Sequence, residues 1–102
     1  MAPGTLSIVY PADTKFDMDY YLNKHMPLVQ SLWQKYGLKG WKIAQYDEGA
    51  IYKVQAWLEF EDESGVAKAG AGPETKTLLA DIPNYSDKDC IMLGGVITGG
   101  NF

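Results

Sequence analysis

The sequence predicts a single α+β domain in which a four-stranded antiparallel sheet carries two helices on one face, the split βαβ arrangement. Three observations predict this fold. The chain has 102 residues, which is the size of one domain and too few for a second core. Its segments follow in the order strand, helix, strand, strand, helix, strand. The strand segment 51–60 alternates so that one face is wholly apolar, as expected for a sheet covered by helices.

The first helix is predicted from spacing and from the residues that flank it. Apolar residues recur every three or four positions between 18 and 36, which indicates one buried helical face. Asp17 is placed to cap the first turn, and Gly37 is placed to end the helix. Pro27 lacks the N–H group that bonds the carbonyl four residues back, so we expect a kink beside His25.

The remaining elements are predicted from strand propensity and from breakers. The segment Glu63 to Ala80 favours two short helical pieces divided by GAGP rather than one continuous helix. The acidic link DEGA is typical of a hairpin loop between the second and third strands. The predicted strands are TLSIVY (5–10), GWKIAQY (40–46), IYKVQAWLEF (51–60) and KDCIMLGGVI (88–97).

The last predicted strand is apolar on both faces. Cys90, Met92 and Val96 point one way, while Ile91 and Leu93 point the other way with Ile97. A sheet with helices on one side only and apolar residues on both sides needs a second cover. We therefore expect a homodimer in which two sheets pack face to face.

Composition limits the possible partners. Net charge is −4, and all nine basic residues are lysines without a cluster, so nucleic acid is not expected as a partner. Without arginine there is no bidentate fork for a phosphate or carboxylate, which favours a small neutral or phenolic ligand. No apolar run is long enough to cross a bilayer, and no secretory signal is recognisable, so we expect a cytoplasmic protein. The single cysteine, Cys90, is expected to be a small buried hydrophobic residue.

His25, the only histidine, lies on the predicted apolar face of the first helix. Its ordinary pKa of about 6.5 lets burial or one neighbour decide its charge near neutral pH, which suits proton transfer in an enclosed site. A lone inward histidine is also compatible with a core residue that is hydrogen-bonded through one nitrogen. One histidine and one distant cysteine supply no metal-ligand cluster.

Two motifs resemble the EthD family of the dimeric α+β barrel superfamily. The first runs from Tyr10 and Pro11 through Phe16, Asp17, Tyr20 and Tyr21 to His25, Met26, Pro27 and Leu28. The second consists of Asp81, Pro83, Asn84 and Tyr85. The resemblance covers nearly the whole chain, as one domain over residues 1–102. It implies a ferredoxin-like βαββαβ protomer, a dimer that closes a barrel from two sheets, and a cavity between sheet and helices with His25 as the functional histidine.

Function is left open between three hypotheses. The first is a cofactor-independent enzyme that holds an aromatic or polyketide-like molecule and moves a proton through His25, as a cyclase, decarboxylase, dehydratase or oxygenase. The expected substrate-binding residues are Tyr21, Trp33, Tyr52 and Phe60. The second is a non-catalytic binding or accessory protein of an oxidative catabolic pathway such as ether degradation. The third, in which His25 is the axial ligand of a haem, is disfavoured by the short chain and the lack of arginine.

Overall fold

The sheet follows the predicted topology. A computed structural model describes residues 2–101. Its four strands are β1 (Gly4–Pro11), β2 (Leu38–Gln45), β3 (Tyr52–Phe60) and β4 (Ile91–Val96). They form one sheet in the order β2-β3-β1-β4, and every neighbouring pair is antiparallel. This confirms the predicted α+β class and the ferredoxin-like split βαβ architecture.

Three helical stretches connect the strands. The first, which we call α1, consists of four consecutive segments: Met18–Tyr20, a π-helical turn Tyr21–His25, an α-helix Met26–Trp33 and a 3₁₀ turn Gln34–Tyr36. The second and third, α2 (Glu63–Ala71) and α3 (Glu74–Asp81), are separate pieces, as the sequence predicted. A 3₁₀ turn, Ile82–Asn84, follows α3 directly. None of the helices between residues 2 and 101 has the length and apolar character needed to span a membrane.

The ends of α1 form as predicted, but its middle differs from a simple kink. The Asp17 carboxylate accepts a hydrogen bond from the Tyr20 N–H at 3.1 Å, and Gly37 ends the helix with a left-handed φ of 92°. Between them, the Met26 N–H bonds the Tyr21 carbonyl five residues back, which is the π-helical pattern. The irregularity expected from Pro27 thus takes the form of one widened turn that ends at His25.

The core lies between the sheet and the helices. The side chains of Val54, Ala56, Leu58 and Phe60 are fully buried, so the predicted apolar face of β3 is the one under the helices. Leu6, Ile8 and Tyr10 of β1 pair with the same stretch of β3 and are also buried.

β4 is shorter than predicted and remains exposed. It begins at Ile91 rather than at Lys88, because the Ser86 hydroxyl bonds both the carbonyl and the N–H of Lys88 and holds that stretch as a turn. Cys90 therefore precedes the strand. The large apolar residues of β4 keep 41–56% of their surface exposed. They are Ile91, Met92, Leu93 and Val96.

We predict opposite effects for two alanine substitutions in α2. A Cβ at Gly65 would overlap the backbone carbonyl oxygen of Tyr36, so Gly65→Ala should cost about 1–3 kcal/mol of unfolding free energy. Gly70 lies in the same helix, and apart from its chain neighbours and the backbone of its own helix no described atom lies within 4 Å of the position that its Cβ would take. Gly70→Ala should therefore stabilise by about 0.5–1 kcal/mol. Urea denaturation of both variants measures this. Equal effects would contradict the close packing of α2 on the end of α1.

Candidate active site

His25 is buried and bonded to an acidic residue from the other end of the chain. Only 6% of its surface is exposed, at the last residue of the π-helical turn. Its Nδ1 lies 2.8 Å from Oδ2 of Asp81, the final residue of α3. The Tyr21 ring stacks on the imidazole with 5.4 Å between centroids and 12° between planes. π-helical turns are frequent at functional sites, and this one aims the imidazole at α3.

The Asp81 carboxylate is held by two further donors. The Tyr20 hydroxyl donates to Oδ1 at 2.7 Å, and the Asn84 side-chain amide donates to the same oxygen at 2.9 Å. Asn84 comes from the 3₁₀ turn directly after α3. With Oδ1 occupied in this way, Oδ2 is directed at His25.

Tyr85 closes the other side of the imidazole. Its hydroxyl lies 3.3 Å from Nε2 of His25 and 2.5 Å from the hydroxyl of Tyr10. The Tyr85 ring also packs against the imidazole, with 4.6 Å between centroids. Tyr10, Tyr85, His25 and Asp81 thus form one continuous hydrogen-bonded chain through the core.

The environment sets the protonation state of this chain. Burial lowers the pKa of His25 and outweighs the opposing effect of the hydrogen bond and charge of Asp81. Burial alone would raise the pKa of Asp81, but hydrogen bonds from Tyr20, Asn84 and His25 outweigh it and lower the pKa. At neutral pH we therefore assign a neutral imidazole that donates from Nδ1 to a carboxylate. Burial raises the pKa of Tyr85, so its hydroxyl stays protonated and donates to Nε2.

A small cavity adjoins the imidazole between the sheet, α1 and α3. Its volume is about 20 Å³, which is room for about one water molecule. The aromatic-lined pocket expected from the sequence is thus nearly closed in this conformation. The cavity is lined by Ile8, Tyr10, His25, Val29, Trp33, Thr75, Leu78, Leu79, Ile82, Tyr85, Cys90 and Met92.

The residues predicted to bind substrate do not all reach this cavity. Trp33 lines it, and Tyr21 stacks on His25 from the helix side. Phe60 lies behind Trp33, with 6.2 Å between ring centroids, and is fully buried in the core. Tyr52 begins β3, is half-buried and is not among the lining residues.

Sequence reasoning gave no role to Asp81 or Tyr85, the two polar partners of His25. Both belong to the second motif of the EthD resemblance, which is the signal that pointed to this stretch. Cys90 lines the cavity and is half-buried, and burial raises the pKa of its thiol. Within residues 2–101 no three His, Cys, Asp or Glu side chains are grouped to hold a metal ion.

The chain has the ferredoxin-like α+β fold, and solved structures that resemble it share that fold. No family model matches the sequence. An uncharacterised 11.0 kDa protein encoded in the thcB–thcC intergenic region of Rhodococcus erythropolis is 32% identical over 92 residues, which cover 86% of this chain and 88% of that protein. The chain belongs to the family of this Rhodococcus protein.

Three solved structures share the fold. An EthD-like protein from Ralstonia eutropha superposes with a TM-score of 0.82 at 17% identity, over 99% of this chain and 96% of its own. SnoaB, a cofactor-independent oxygenase from Streptomyces nogalater, superposes with a TM-score of 0.66 at 9% identity, over 100% of this chain and 97% of its own. A dimeric protein of unknown function from Bacteroides fragilis superposes with a TM-score of 0.59 at 11% identity, over 93% of this chain and 95% of its own. The resemblance in fold to EthD-like proteins is confirmed.

The lowered pKa of His25 predicts a stability that falls on mild acidification. Below the ordinary value of 6.5, the unfolded chain takes up a proton that the folded site resists, so the free energy of unfolding decreases as the pH falls toward the lowered pKa. Urea denaturation between about pH 7.5 and pH 5 measures this. His25→Gln should remove most of the dependence, since the chain has one histidine.

The control is Lys24→Gln, which changes the exposed neighbouring residue of the same turn and should keep the pH dependence of the unmodified protein. A stability that rises on acidification through this range would mean that the ion pair with Asp81 outweighs burial.

Proposed function

We propose that this protein is a cofactor-independent enzyme that activates an aromatic or polyketide-like small molecule by accepting a proton on His25. The observation that supports this most is the pairing of Nδ1 with Asp81 at 2.8 Å, which leaves Nε2 as a proton acceptor beside a cavity. An imidazole held in one tautomer by a carboxylate is the arrangement of a general base. The reaction belongs to the cyclase, decarboxylase, dehydratase or oxygenase types that begin with such a deprotonation.

The resting contact at Nε2 is weak enough to be replaced. At 3.3 Å, the bond from the Tyr85 hydroxyl is longer than a typical O–H donor bond. A ligand hydroxyl or an acidic C–H displaces it and passes its proton to Nε2. The resulting imidazolium is stabilised by the adjacent Asp81 carboxylate, while the Tyr85 hydroxyl turns to donate to the ligand anion.

Ligand binding requires the cavity to widen from about 20 Å³. Its mouth lies between α3 and β4, where Leu79 and Met92 are 45% and 41% exposed. α3 packs mainly against the other helices rather than on the sheet. A shift of these two side chains with part of α3 therefore opens the site without breaking the sheet.

A chromogenic phenol tests the base. 4-Nitrophenol absorbs visible light strongly as a phenolate and weakly as a phenol, so its spectrum reports the ionisation of the bound form. We expect the unmodified protein to bind it as the phenolate at a pH where the free phenol is largely protonated. His25→Gln should bind it protonated, and Asp81→Asn should reduce the phenolate fraction, because the carboxylate that stabilises the imidazolium is lost.

Asp47→Asn is the matched control for Asp81→Asn, since it makes the same change at an exposed residue of the β2–β3 loop. It should leave the spectrum of the bound phenol unchanged. For a substrate that the protein turns over, His25→Gln should lower the catalytic rate about 10²–10⁴-fold, because the general base is lost. A folded His25→Gln protein that still ionises the phenol would exclude His25 as the base.

A second candidate is a binding protein that carries an aromatic metabolite without reaction. The hydrogen bond between the Tyr85 hydroxyl and Nε2 favours it, because the imidazole then has no free acceptor for a proton in this conformation. In that case 4-nitrophenol should bind in its protonated form, and His25→Gln should leave its affinity unchanged.

We also propose that the protein forms a homodimer through the sheet face opposite the helices. That face carries the half-buried Trp57, whose ring lies 5.7 Å from Lys42 Nζ, and the exposed Leu93. An open hollow of about 880 Å³ is lined by residues of β1, β2 and β3 and by the segment 97–100 that follows β4. The neighbour from Bacteroides fragilis is a dimeric protein, which supports the formation of a dimer.

Light scattering should give about twice the chain mass of 11.3 kDa. Leu93→Lys places a charge in the expected interface and should yield a monomer, whereas Ile51→Lys, at a residue 78% exposed in the β2–β3 loop, should remain dimeric. A monomeric unmodified protein at micromolar concentration would contradict the proposed dimer.

A further inference from the structure

The side-chain nitrogen and oxygen atoms that line the cavity are all hydrogen-bonded within residues 2–101, except one. Tyr10 and Tyr85 bond each other, and Tyr85 also reaches Nε2 of His25. The Thr75 hydroxyl donates to the backbone carbonyl of Ala69 at 2.8 Å. Each of these groups is therefore already satisfied without a ligand.

The exception is the indole N–H of Trp33. Trp33 is only 3% exposed, and its Nε1 has no hydrogen-bond partner in the part of the chain that the structure describes. Only one other buried side-chain atom there shares this property, Oγ1 of Thr14, and Thr14 does not line the cavity. A buried donor without an acceptor carries its full desolvation cost. Because this donor lies beside a cavity, an acceptor atom of a bound ligand can satisfy it.

Trp33 lies at a different position along the cavity wall from the proposed base. His25, Val29 and Trp33 are spaced four residues apart on one face of α1, and all three line the cavity. The two ends of this row are about 12 Å apart at Cα, because eight residues separate them along the helix. A ligand that uses both groups must therefore present its acidic proton and its acceptor atom at separate places.

We propose that the ligand is a phenol whose ring carries a conjugated carbonyl group, and that Trp33 selects it by donating to the carbonyl oxygen. This assignment names the substrate class of the function proposed above and rests on it. When the phenol O–H bond breaks, the proton goes to Nε2 of His25 and the electron pair remains on the phenolate. Conjugation then shifts negative charge to the carbonyl oxygen, where the Trp33 N–H stabilises it. Return of the proton reverses the step, so no oxidant or reductant is needed.

A pair of matched ligands isolates the carbonyl. 4-Hydroxyacetophenone and 4-ethylphenol have nearly the same shape and the same phenolic hydroxyl, but only the first has a carbonyl oxygen. The unmodified protein should bind the ketone at least about fivefold more tightly, because only the ketone satisfies the buried donor. Trp33→Phe should lower this ratio about fivefold, to the preference that the greater acidity of the keto-phenol alone gives at His25. The ratio of the two affinities remains informative even if the smaller phenyl ring of Trp33→Phe enlarges the cavity, because both ligands gain the same space.

Nitrogen-15 NMR of the unmodified protein provides a measurement that needs no stable variant. The three tryptophans give three indole N–H signals, so Trp41 and Trp57 serve as internal controls. The Trp33 signal should move downfield with 4-hydroxyacetophenone and stay in place with 4-ethylphenol. Equal affinities for the two ligands, failure of both to bind, or a Trp33 signal that responds alike to both would overturn the proposal.

His25→Gln separates this inference from the proposed function. The variant should keep the preference for the ketone, because Trp33 is unchanged, while losing ionisation of the bound phenol. If the unmodified protein ionises the bound phenol but shows no preference for the ketone, Trp33 is not the selecting residue, and His25 is still the base.

Discussion

The hydrogen bond between His25 and Asp81 is the interaction on which the rest of this structure depends. It joins α1 to the end of α3 across 56 residues of chain, with 2.8 Å between Nδ1 and Oδ2. Because α3 ends at Asp81, the bond also fixes where the following turn places Asn84 and Tyr85. One contact therefore docks two helices and selects the tautomer of the imidazole. Stability and the proposed chemistry share the same residues, so the site is built into the core rather than added at its surface.

α3 is anchored by polar contacts at both ends. At its first residue, Glu74 pairs with Lys35 and accepts a 2.7 Å hydrogen bond from the Tyr36 hydroxyl, and these bonds lower the pKa of Glu74 to about 2. At its last residue, Asp81 is held by three donors. Between these anchors Leu78 is buried while Leu79 is half-exposed at the cavity mouth. The polar contacts therefore hold the two ends of the helix, while the apolar side chains between them form part of the cavity wall.

The sequence was sufficient for the fold because each element carries its own local signal. The alternation in 51–60, the Asp17 cap and the Gly37 terminator all act within a few residues, and the structure has each of them. The site depends on pairs that are distant along the chain. Periodicity placed His25 on the inner face, but nothing in its neighbourhood indicates that Asp81 or Tyr85 is its partner. Cavity size was also beyond prediction, because it depends on how closely α3 packs against α1 and not on which aromatic residues are present.

The surroundings of Asp81 determine where a transferred proton stops. Tyr20 and Asn84 both donate to Oδ1, and these bonds favour the ionised carboxylate. A proton that arrives at Nε2 therefore creates an imidazolium beside a carboxylate that resists taking the proton on. Burial disfavours the same imidazolium, as the lowered pKa of His25 requires. The ionised Asp81 carboxylate holds the proton on the imidazole, and burial of the imidazole promotes its release. His25 is therefore suited to accept a proton and return it within a single reaction.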